Sequence, residues 1–74
     1  MKLVLGSRGE DVTHLQVVLN FLGGSAIPLV EDGILGQKTH ARLIAYQKGA
    51  GLKPDGILGP LTAKALSARA LARS

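Results

Sequence analysis

Asp32-Gly33-Ile34-Leu35-Gly36 and Asp55-Gly56-Ile57-Leu58-Gly59 are one pentapeptide written twice in a chain of 74 residues. The agreement continues downstream, where Thr39 answers to Thr62 and Leu43 to Leu66. A five-residue string does not recur by chance in so short a chain, so one structural device is used twice. Each copy spaces two glycines three positions apart, and glycine adopts positive φ or permits close backbone approach at small steric cost. The aspartate is expected to accept hydrogen bonds from backbone N–H groups of the following turn, as in an Asx-turn. The Ile-Leu pair is apolar inside a loop and is expected to plug into the core. Pro60 after Gly59 suits the first position of a helix. Thr39 and Thr62 then fall in a first helical turn, where a hydroxyl can serve the free N–H groups. The device reads as a glycine-punctuated loop that launches a helix.

Working outward, residues 3–5 form a short extended lead-in, ended by Gly6-Ser7-Arg8-Gly9. Glu10 and Asp11 open a first helix, their charge suited to its N-terminal dipole. Val12, Leu15, Leu19 and Leu22 recur at helical spacing as one apolar stripe, and Gly23-Gly24 ends the helix. Residues 24–31 form a loop carrying Pro28. The spacing predicts a second helix over 37–48, with Thr39, Leu43 and Tyr46 on its inner face, stopped by Gly49-Ala50-Gly51. Leu52-Lys53-Pro54 leads to the second pentapeptide, and a third helix runs from Pro60 to about Ala70, covering the core with Leu61, Ala65 and Leu66. The expected architecture is all-α: a compact three-helix bundle with two Asp-Gly-x-x-Gly loops. Residues 1–67 form the domain, and 68–74 are a helix end, a tail or the start of a linker. Val17 and Phe21, four apart on the first helix, lie off its stripe, as Ile44 does on the second. Either the third helix or the loop at 27–30 covers them, or they form an apolar patch that meets a partner.

A chain of 74 residues fits one small domain, which buries only about 60% of its unfolded surface. With one Phe, one Tyr and no Trp, the core must be aliphatic. The absence of cysteine excludes disulfides and Cys-based metal sites and leaves the redox compartment open. The net charge is +4, but the cations are scattered without a run, which argues against a nucleic-acid arm and allows a modest attraction to polyanions. Lys2 is followed by only three apolar residues before Gly6, too few for a signal core. No apolar stretch approaches a membrane span.

Catalysis finds no support in the residues. The carboxylates are Glu10, Asp11, Glu31, Asp32 and Asp55. With Asp32 and Asp55 organising loops, no acid/base pair for glycoside hydrolysis remains. Glu10 and His14 stand at i, i+4, but two candidate ligands without a third make no recognisable metal motif. His14 and His40 are expected to face solvent. Ser7 and Ser25 lack a nucleophile elbow or a histidine partner, and the isolated aspartates build no calcium loop. The expectation is a domain without catalysis, cofactor or metal.

The ordered set of Gly6 with Gly9, Val12 with Leu15-Gln16 and Leu19, Leu22-Gly23, the stretch 32–39, Tyr46-Gln47 and the stretch 55–62 resembles a known family. It is similar to the three-helix peptidoglycan-binding domain of cell-wall hydrolases, over about residues 5–66. Departures are Leu35 where an aromatic is common, Gly24 where an aromatic often follows the helix-ending glycine, and Arg42 and Ile44 at positions that are frequently small or charged. The missing aromatics weaken sugar stacking more than they weaken the fold.

The resemblance implies non-catalytic binding of peptidoglycan that targets a hydrolase, whose catalytic domain lies in the same or another chain. It implies neither nucleic acid nor membrane as partner. A domain that starts at Met1 without a signal also looks like the N-terminal module of a phage endolysin, made in the cytoplasm and acting at the wall or periplasm. Candidate ligand contacts are Gln37, Lys38, His40, Arg42, Tyr46 and Gln47. Arg42 would pair with a stem-peptide carboxylate and Tyr46 would offer its ring or hydroxyl. Against this stand structural roles: Tyr46 in the core with its hydroxyl at the rim, Gln16 and Gln47 bracing loop backbone, and Lys38 simply solvated. Asp32, Gly33, Gly36, Asp55, Gly56 and Gly59 are loop-forming. Two other classes compete: a protein–protein module using Val17, Phe21 and Ile44, and a helix-turn-helix DNA binder. The long connection between the first two helices counts against the latter.

Overall fold

The computed structural model describes residues 2–23 and 28–73, with side chains described through residue 68. Three helices follow in order: α1 (Glu10–Leu22), α2 (Gln37–Gly49) and α3 (Pro60–Arg73). Gly9 precedes α1, with Glu10 and Asp11 in the first turn as expected. Gly23 closes it with φ 76°, its N–H reaching the carbonyls of Asn20 and Leu19. The second helix runs one residue past the sequence expectation and the third reaches Arg73 rather than Ala70. Residues 24–27 of the expected loop, including Ser25, lie outside the described residues.

The core is aliphatic throughout. Val12, Leu15 and Leu19 of α1 meet Leu43 of α2 and Leu66 of α3, with Leu3, Leu29, Leu35 and Leu58 supplied by the connecting segments. Tyr46 and Leu22 pack on its edge. The segment before α1 does more than lead in, because it ties the two pentapeptides together. Leu3 and Leu58 exchange backbone hydrogen bonds at 3.0 and 2.8 Å. Further along, the N–H of Gly6 reaches the Leu35 carbonyl, the N–H of Leu35 reaches the Ser7 carbonyl and the N–H of Gly9 reaches the Gly33 carbonyl, each at 2.9 Å. Among the described residues these make two isolated antiparallel bridges, Leu3 with Leu58 and Arg8 with Ile34.

Two expectations are corrected and one open alternative is decided. Only the leucine of each Ile-Leu pair enters the core: Leu35 is fully buried while Ile34 is 40% exposed, because successive side chains of bridged backbone point to opposite sides. Leu58 is likewise buried and Ile57 is half-buried. Leu61 is 75% exposed and covers nothing. Its neighbour Thr62 is the residue drawn inward, by a hydrogen bond from Gln47, which turns Leu61 outward. Finally, Val17 and Phe21 remain 43% and 50% exposed, so neither α3 nor residues 28–30 bury them. Ile44 is half-buried.

Candidate functional site

Each pentapeptide is held by one buried glutamine. Gln16 on α1 donates from Nε2 to Asp32 Oδ1 (3.1 Å), the Ile34 carbonyl (3.0 Å) and Thr39 Oγ1 (3.1 Å). Its Oε1 accepts the Gly33 N–H at 2.9 Å. Gln47 on α2 repeats the circuit: Nε2 to Asp55 Oδ1 (3.2 Å), the Ile57 carbonyl (3.0 Å) and Thr62 Oγ1 (3.2 Å), with Oε1 accepting the Gly56 N–H at 2.9 Å. Both glutamines therefore brace loops, and Gln47, fully buried, has its amide committed to the fold rather than offered to a ligand. The threonine hydroxyls serve the glutamines and not the helix N–H groups, and α2 starts from Gly36 with no side-chain cap. A buried amide with every group engaged is costly to disturb.

The Asx-turns form as expected. The N–H of Ile34 donates to Asp32 Oδ1 at 3.0 Å and that of Ile57 to Asp55 Oδ1 at 2.9 Å. The Ile34 N–H, then the Gln16 amide, hold the Asp32 carboxyl below the ordinary aspartate range. The Ile57 N–H does the same for Asp55, with smaller help from Gln47 and Lys53. Hydrogen bonds to the charged form are the physical cause in both.

The structure disperses the six candidate contacts. Gln37 and Lys38 border a cleft of about 260 Å³ beside Leu29, Val30 and Asp32. Arg42 and Tyr46 border a second cleft of about 260 Å³, between the C-terminal ends of α1 and α2. Arg42 Nη2 donates to the carbonyls of Leu19 and Gly23, both at 2.9 Å, so the side chain also finishes α1. His40 joins neither cleft. Contrary to the solvent-facing expectation it is half-buried, with its ring where a Cβ on Gly56 would stand and with Nδ1 buried and unpartnered. His14 is exposed as expected. Asn20 was not anticipated: its amide donates to the Leu29 carbonyl (2.9 Å) and to Glu31 Oε2 (3.0 Å) and accepts the Leu29 N–H (2.7 Å). A lone polar residue in the otherwise apolar C-terminal part of the helix, residues 17–22, is the available signal. Among the described residues no group of three His, Asp or Glu side chains could hold a metal.

The family described as "Putative peptidoglycan binding domain" matches residues 8–66. The chain belongs to this family. A probable N-acetylmuramoyl-L-alanine amidase of Bacillus licheniformis is 44% identical over 63 residues, covering 85% of this chain and 18% of the amidase. Among solved structures, the SleB N-terminal domain superposes with a TM-score of 0.87 at 31% identity, covering 95% of this chain and 93% of that one. The Burkholderia AP3 phage endolysin gives 0.84 at 43% identity, covering 92% of this chain and 25% of the endolysin. The peptidoglycan-binding domain thus spans about a fifth of such an amidase, and it is the kind of module that cell-wall amidases and endolysins carry. None of its described helices is long and apolar enough to cross a membrane.

Proposed function

We propose that this domain binds peptidoglycan without processing it and holds a hydrolase, in the same chain or a partner, at the bacterial cell wall. The observation that carries the reading is the family match across residues 8–66. Its motif residues have structural work: Asp32, Asp55, Gln16, Gln47, Thr39 and Thr62 are all engaged in the two loop circuits. Gln37, Lys38, Arg42 and Tyr46, which border the two clefts, are the side chains left to meet the ligand. Asp32, the one carboxylate among the described residues that border the clefts, is engaged in the first circuit. The mechanism is effective concentration: a weak module tethered to an enzyme keeps it near an insoluble substrate. Fusing the domain to a wall-hydrolase catalytic unit tests this. The fusion should digest intact sacculi faster than the bare catalytic unit at limiting enzyme, with equal rates on soluble muropeptides. Equal rates on both substrates would refute targeting.

The exposure of Val17 and Phe21 favours a second reading, a protein–protein module. It predicts concentration-dependent self-association in analytical ultracentrifugation, and a monomer at all accessible concentrations would count against it.

A further inference from the structure

We propose that the groove between the C-terminal ends of α1 and α2 binds the stem-peptide portion of peptidoglycan through a free carboxylate, with Arg42 as its anchor. This rests on the peptidoglycan reading above and adds which part of the polymer is recognised and where. The groove, of about 260 Å³, has an apolar side of Leu19 and Leu22, and Tyr46 across from them. Among the described residues Arg42 is the one charged side chain that lines it, and no Asp or Glu borders it.

The guanidinium is fixed in place. Nη2 donates to two carbonyls of the α1 terminus, which fixes the plane and leaves Nη1 beside it, buried and without a hydrogen-bond partner. A buried donor on a cation is costly to leave unmade, and a carboxylate is the acceptor that restores both the hydrogen bond and the charge balance. The dipoles of two helix C-termini oppose an anion, but the local carbonyls are already occupied. Leu19 is taken by Arg42 and Gly23, and Tyr46, Gln47 and Lys48 by the N–H groups of Ala50, Leu52 and Gly51. Glycan hydroxyls bring no charge to Arg42, and where a stem peptide is attached the lactyl carboxyl of the glycan is tied up as an amide, so the free carboxylates are those of the stem peptide.

The groove is kept open by small residues. A Cβ built on Gly23 or Gly49 meets nothing within 4 Å. Gly49 is not among the glycines with positive φ, so a larger side chain there fills the groove without backbone strain. Gly49→Leu is therefore a blocking variant that leaves Arg42 and its helix contacts intact. This matters because Arg42→Ala also removes the bonds that finish α1.

The test is a ¹⁵N-correlation titration of the whole chain with three probes: a stem tetrapeptide with free carboxylates, its fully amidated counterpart and a carboxylate-free glycan, chitotetraose. The free acid should shift Ala45, Gly49 and the Arg42 side chain saturably. The amidated peptide should bind at least about tenfold more weakly, and the glycan should leave those signals in place. Gly49→Leu should abolish the shifts while the exposed control Leu61→Ser binds like wild type. Equal affinity for both peptides, glycan-induced shifts at the same residues, or unchanged binding by Gly49→Leu would overturn the proposal. Sacculus retention separates the two levels: failure of the wild-type chain sinks the peptidoglycan reading, whereas full retention by Gly49→Leu sinks only the groove.

Discussion

The two pentapeptide loops carry the same sequence and the same hydrogen-bond circuit, yet they are assembled from different distances. Gln16 reaches Asp32 across 16 residues from a helix that does not adjoin the loop in sequence. Gln47 reaches Asp55 across 8, from the helix just before it. Doubling the closed length costs only about 0.6 kcal/mol of closure entropy, less than one stranded buried donor at about 1–3 kcal/mol. The circuit, not the separation, therefore decides whether a loop forms. The surroundings of the glycines differ more. Gly33 (φ 75°) lies against Thr13 Oγ1 and the Gly9 carbonyl, at 2.8 and 3.1 Å from where a Cβ would be. At Gly56 (φ 70°) the three atoms nearest to where a Cβ would be all belong to the His40 ring. The first loop is walled by backbone as well as a side chain, the second most closely by a side chain that can rotate away.

Removing the circuits should produce the largest effects. Gln16→Leu and Gln47→Leu each strand a buried glycine N–H and a threonine hydroxyl, so each should cost on the order of 3 kcal/mol in urea denaturation. The losses should agree within about 1 kcal/mol. A large gap between them would show that separation matters after all. Next come the glycines. Gly56→Ala should cost about 1–2 kcal/mol from its left-handed backbone, and Gly33→Ala more, because the Gly9 carbonyl is fixed. Adding His40→Ala should relieve part of the Gly56→Ala loss, a coupling of at least about 0.5 kcal/mol in a double-mutant cycle. Strict additivity would mean that the ring does not wall the second loop.

Acid should act on both loops together. Asp32 and Asp55 have folded-state carboxyls held below the ordinary aspartate range, so the unfolded chain takes up protons first as pH falls. Their contribution is complete above the unfolded-state pKa, declines below it and is gone once pH passes the lowered folded value. Asp32→Asn with Asp55→Asn should flatten that acid limb of stability against pH, and an unchanged limb would assign it to other groups. The smallest effect belongs to the exposed apolar residues: Leu61→Ser should change stability by no more than about 0.5 kcal/mol.

Much of this was legible in the sequence. The α1 stripe followed from helical spacing, and the repeat located both loops, their Asx-turns and the threonines beside them. Other features left no pattern to read. The lead-in ties the loops through backbone groups, which every residue possesses, so no side chain announces it. His40 reads as a polar helix residue until Gly56 is placed beneath it. Arg42 looks like a free cation because a long side chain can turn back to helix carbonyls from a surface position. The candidate contacts lie in one stretch of chain, and helical rotation spreads that stretch over different faces.

The most direct test of the account is co-sedimentation of the purified chain with sacculi stripped of protein and secondary polymers, at low and moderate salt. The account predicts retention that persists at moderate salt, because the ligand is held in a shaped groove and not by the net charge of +4 alone. Retention that disappears with slight added salt, or none at all, would contradict it.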